Sequence, residues 1–135
     1  MVRIIINEKV PSVNHLYYHK PPFGVKVLSV KARPLRERII KETIKQLKAQ
    51  GYYQPKWNKR LLKVKVEIYE NWFTKKHTVF KKDIANKEKF LIDSIFKGLD
   101  LDDSYVWRHE LSKVDSQEFK VIVTIERWTP EPSAA

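Results

Sequence analysis

Residues 61–103 read LLKVKVEIYENWFTKKHTVFKKDIANKEKFLIDSIFKGLDLDD, and the change of rhythm within this stretch decides the fold class. Between 61 and 69, Leu62, Val64, Val66 and Ile68 alternate with Lys63, Lys65 and Glu67, the two-residue period of a half-buried strand. A basic loop follows over 75–82, and after Asp83 the apolar residues Ile84, Leu91, Ile92, Ile95 and Leu99 recur at helical spacing. This predicts a helix to about Lys97, ended by Gly98, and then an acidic turn, Asp100-Leu101-Asp102-Asp103.

Working outward, residues 33–50 carry Leu35, Ile39, Ile40, Thr43, Ile44 and Leu47 on one stripe of a second amphipathic helix. Pro34 sits in its first turn and Gly51 just past its end. Short strands are expected at 2–6 and 25–30, and two more near 105–113 and 118–127, closing the chain as a hairpin. The polar, proline-containing segment 7–24 is read as a loop. The order is therefore β-β-α-β-α-β-β, an α+β domain with a mixed β-sheet and two packed helices over residues 1–129. Residues 130–135 read as a disordered tail.

The chain has 135 residues, within the range of one domain, and 42% are hydrophobic, enough for a packed core. No apolar run approaches the length of a membrane span, and the first residues lack the long apolar segment and small-residue cleavage site of a secretory signal. Without cysteine, disulfides and thiolate metal sites are excluded, which fits a reducing cytoplasm. With 27 Lys and Arg against 16 Asp and Glu, the net charge of +11 suits a polyanion. Nucleic acid is the expected partner, because neutralising phosphates releases condensed counterions.

Asp83 and the Asp102-Asp103 pair stand at the two ends of one helical connection. Carboxylates brought together there would suit a hard divalent cation, which takes oxygen ligands and keeps room for water and substrate phosphate. Such a cation would activate water for phosphodiester hydrolysis, with a nearby lysine stabilising the developing charge. The plainer alternative makes Asp83 a helix N-cap and Asp102-Asp103 ordinary turn formers. Spacing alone leaves both readings open. The histidines His15, His19, His77 and His109 have no metal-ligand spacing.

The ordered runs Lys81-Lys82-Asp83-Ile84-Ala85-Asn86-Lys87-Glu88-Lys89 and Leu99-Asp100-Leu101-Asp102-Asp103-Ser104-Tyr105-Val106 resemble the RusA family of Holliday-junction resolvases. The family pattern has a basic run, Asp-x-Asp-Asn, a lysine shortly after, and an Asp-Asp pair beyond a helix. Pro11-Ser12-Val13-Asn14-His15-Leu16-Tyr17-Tyr18 is similar to its amino-terminal segment. The resemblance spans about residues 2–127. It implies a homodimeric, nucleoid-associated nuclease that uses Mg2+, with Mn2+ as a substitute, to place paired nicks across a four-way junction of branched DNA.

By position, Asp83 and Asp103 then match metal-binding catalytic aspartates, Asp102 is the lesser member of the acidic pair, and Lys89 matches the assisting lysine. Asn86 matches the motif asparagine. Lys75, Lys76, Lys81 and Lys82, with Tyr17, His19 and Lys20, are the expected DNA-binding residues, and Phe73 and Phe80 are candidates for a wedge at the junction centre. One position departs from the pattern: Ala85 stands where the family has a catalytic, metal-binding aspartate, and a methyl group cannot ligate a cation. Either an introduced substitution has inactivated the chain, the reading favoured by the completeness of the surrounding motif, or cleavage was lost naturally and a catalytically silent nucleic-acid-binding protein remains. An RNA endonuclease is a third, weaker reading of the same basic surface.

Overall fold

The computed structural model describes residues 1–9, 17–20, 25–28, 32–51, 60–79 and 84–129, with the side chains of 17–20, 25–28 and 84–87 outside that description. The elements run β1 (Val2–Ile6), β2 (Tyr17–Lys20), β3 (Val25–Leu28), α1 (Ala32–Ala49), β4 (Leu62–Glu70), α2 (Ile84–Leu99), a 3-10 turn (Asp103–Tyr105), β5 (Val106–Asp115) and β6 (Lys120–Arg127). The α+β class, the mixed sheet and the two helices agree with the sequence reading. Within the segment expected to be all loop, Tyr17–Lys20 forms a strand that pairs antiparallel with Val25–Leu28.

The main sheet has the order β1-β6-β4-β5. β4 pairs parallel with β5 and antiparallel with β6, so the last two strands flank β4 and do not form the expected hairpin. Their composition explains the placement. β6 buries Val121, Ile122, Val123 and Ile125 and requires neighbours on both sides, whereas β5, with exposed Arg108, Lys113 and Asp115, suits an edge. At the opposite edge, α1 supplies substitutes for a missing strand. Gln46 donates to the Ile5 carbonyl at 2.6 Å and accepts the Ile5 N–H at 2.7 Å. One turn later Gln50 does the same for Arg3, at 2.6 and 3.0 Å.

The core lies between one sheet face and the helices. Val2, Ile4, Leu62, Val64, Val66, Ile68, Val123 and Ile125 meet Ile39 and Leu47 of α1 and Phe90, Leu91, Ile95 and Leu99 of α2. Buried hydroxyls are satisfied within their own helices, Thr43 donating to the Ile39 carbonyl and Ser94 to that of Phe90. Gly51, at φ 85°, ends α1 as expected. Gly98 does not end α2, because the helix continues to Leu99 and the left-handed residue is Asp100, at φ 54°. A Cβ at Gly98 would lie 3.2 Å from the Ile40 carbonyl oxygen and from Thr43, so glycine there permits close approach of α1 and α2. No helix among the described residues is long and apolar enough to cross a membrane.

Candidate active site

α2 packs against the sheet on the β5 side, where Glu88 and Lys89 stand beside Val64 and Val106. In the helix, residues 85, 88 and 89 share one face through their three- and four-residue spacing. On β5, beyond the register shift at Trp107, the residues paired with buried β4 residues face the helices, and the ladder places His109 opposite buried Val64. These two periodicities meet at a cleft of about 320 Å3 lined by Val64, Glu88, Lys89, Ile92, Asp93, Asp103, Val106 and His109. A second depression, of about 280 Å3, is lined by Arg36, Asp93, Phe96, Lys97, Leu101, Asp102 and Asp103. Asp93 and Asp103 border both.

The two members of the acidic pair have separate surroundings. The Asp102 carboxylate accepts the backbone N–H of Ser104 at 2.9 Å and caps the 3-10 turn. That hydrogen bond holds its carboxyl below the usual carboxylate range. Asp103, the first residue of the turn, borders the cleft that holds Lys89. Two predicted site residues, Lys89 and Asp103, are thus brought together from different elements.

Glu88 and His109 were not singled out as site residues by the sequence reading, and both line this cleft. Glu88 Oε1 lies 3.1 Å from His109 Nε2. Burial, and next the charge of Asp93, pushes the Glu88 carboxyl up to about 7. Burial also lowers His109 from its ordinary value. Burial thus disfavours the charged form of each group, and a proton lying between them across the 3.1 Å contact serves both. The available signal for Glu88 was its position three residues after Ala85; His109 follows a register shift that no periodicity within β5 reveals.

A raised carboxyl pKa means that the folded chain holds this proton more tightly than the unfolded chain does. The associated stability is present below the ordinary value of 4.5 and is lost as pH rises toward about 7. His109 acts with the opposite sign below 6.5, where the fold resists charging it. Glu88→Gln keeps a hydrogen-bonding side chain and removes only the acid. Melting temperatures measured across this range are expected to fall less with rising pH in Glu88→Gln than in the parent, and identical profiles would refute the burial argument.

Of the remaining expected residues, Lys75 and Lys76 are exposed in a tight loop from Phe73 to Val79. It is closed by the Thr74 N–H donating to the Thr78 carbonyl at 2.7 Å and turned at His77, whose φ is 60°. Phe73 is exposed beside them. Phe80, Lys81, Lys82 and Asp83 lie outside the described residues. The backbones of Tyr17, His19 and Lys20 belong to β2 and that of Ala85 to the first turn of α2.

Among the described residues, no three His, Asp or Glu side chains gather closely enough to enclose one ion. The donors that border the cleft, Asp103, Asp93 and Glu88, are nevertheless the oxygen ligands a hard cation takes. Magnesium is commonly held by one or two carboxylates with water and phosphate, so the chemistry of this set fits it.

The chain matches the family described as Endodeoxyribonuclease RusA over residues 10–126. No curated protein matches it.

Proposed function

This chain belongs to the RusA family of endodeoxyribonucleases, and from that premise we propose that it recognises four-way DNA junctions through a site built for paired, Mg2+-dependent nicks. The observation that carries this reading is the meeting of Lys89 and Asp103 at one cleft. Asp83 and Asp103 would hold the cation, with Mn2+ as a substitute, and the bound ion would supply a polarised phosphate and an activated water. Lys89 neutralises charge on the scissile phosphate, while Glu88 and His109 hold a proton beside it.

Lys75, Lys76, Lys81 and Lys82, with Tyr17, His19 and Lys20, grip the backbone and place the strand without reading its sequence. Two symmetric nicks require two such sites related by a two-fold axis, and hence a homodimer. Ala85 favours a second reading of the chain as it stands, a junction-binding form that does not cut, since the position that should complete the acidic set carries a methyl group.

The test is a competition of a synthetic four-way junction against duplex and RNA of the same length. The chain is expected to bind the junction most tightly, with an affinity that falls steeply as salt is raised, and to leave it uncut in magnesium. Equal affinity for all three nucleic acids would remove the junction assignment, and preference for RNA would replace it.

A further inference from the structure

Deepening the reading of this chain as a DNA-junction protein, on which the inference rests, we propose that Trp107, backed by Trp128, is a stacking site for an unstacked nucleobase of the bound DNA. The register of β5 against β4 carries the argument. Leu62 pairs with Val106 and the next β4 residue, Lys63, pairs with Arg108, so Trp107 is an extra residue without a β4 partner. A bulge of this kind turns a side chain away from the direction that strand alternation would assign it.

Here the result is an indole 64% exposed, whereas Trp72 of the same chain is 2% exposed within the core. A single exposed apolar side chain needs no explanation, but an aromatic patch formed by two neighbouring indoles marks a binding surface. The indole also has a wall behind it. The Trp128 ring lies 6.4 Å away, centroid to centroid, and tilted by 41°. The backbone of Trp128 is tied in turn to the start of β4, its N–H donating to the Leu61 carbonyl at 2.9 Å. One indole is therefore braced by the sheet and the other is open on its far side.

The position relative to the cleft and the surrounding charge select the occupant. Val106, the residue before Trp107, lines the cleft that contains Lys89 and Asp103. Arg108 follows Trp107 and Arg127 precedes Trp128, both exposed. The Arg108 contact with Glu110, at 3.5 Å, is a surface pair that holds the guanidinium weakly. An aromatic face with an exposed arginine adjacent in sequence on each of its two strands fits a base with its phosphates, and stacking accepts any base because each has a π-face. Bases near a branch point can be freed from their neighbours more readily than those of continuous duplex, so the site favours a junction or a single strand.

The experiment uses the full chain without added metal and measures affinity for a labelled four-way junction, a short oligothymidylate and a continuous duplex. Trp107→Ala is expected to weaken junction and oligothymidylate binding by about tenfold, with much less effect on duplex, and Trp107→Phe to recover most of the loss. Oligothymidylate is also expected to quench tryptophan fluorescence in the parent more than in Trp107→Ala. Unchanged junction affinity in Trp107→Ala overturns the inference while leaving the proposed function in place. A change in oligomeric state in Trp107→Ala without DNA, read by sedimentation, overturns it by assigning the indole to a protein contact. A parent chain that binds no DNA overturns both readings.

Discussion

Ala85→Asp is expected to make this chain cut four-way junctions in symmetric pairs in the presence of magnesium, where the parent chain binds without cutting. Position 85 is in the first turn of α2 and shares a helix face with Glu88 and Lys89. Both of those residues line the cleft bordered by Asp103. A carboxylate added there stands one turn from Lys89, and its charge is favoured by the positive end of the helix dipole. Metal-assisted charge stabilisation is worth several kcal/mol, and each ~1.36 kcal/mol is a factor of ten in rate, so a gain of at least about a hundredfold is expected. The measurement is the rate of paired nicking on a synthetic junction, with duplex as control. If the aspartate variant stays inert across magnesium and manganese concentrations and several junction sequences, position 85 is not the missing ligand and the silent binding reading becomes the better one.

The second large effect separates two adjacent carboxylates. In the Ala85→Asp background, Asp103→Asn should lower cleavage by at least about a hundredfold, on the same several-kcal/mol argument, while leaving junction affinity nearly unchanged. Asp102→Asn should leave cleavage and melting temperature near those of that background. The asymmetry follows from geometry: Asp102 is committed to the Ser104 N–H, and asparagine caps about as well. Asp103 borders the cleft beside Lys89. Equal losses from both substitutions would show that the pair acts together, and a loss confined to Asp102 would reverse the assignment.

The amino-acid sequence determined by itself the parts of this protein whose spacing is local. Alternation at Leu62, Val64, Val66 and Ile68 specified which face of β4 is buried, and all four are in the core. Helical spacing marked Ile39 and Leu47 on α1 and Leu91, Ile95 and Leu99 on α2, and these too are buried. The ordered acidic and basic motif pointed to a family that the match over residues 10–126 confirms. Such signals are legible because backbone geometry repeats every two or 3.6 residues whatever lies further away.

Only the tertiary structure decided the rest. Strand neighbours depend on how much apolar surface each strand must cover from both sides, so β4 separates β5 from β6 despite their short connection. That arrangement sets His109 against Glu88, two residues with no motif between them. It also leaves Trp107 unpaired at a register shift that depends on β4 as much as on β5. Asp102 and Asp103, neighbours in sequence, likewise meet different surroundings: the Ser104 N–H before one and the cleft with Lys89 before the other. Periodicity tells a residue which way to face, and packing tells it what it meets.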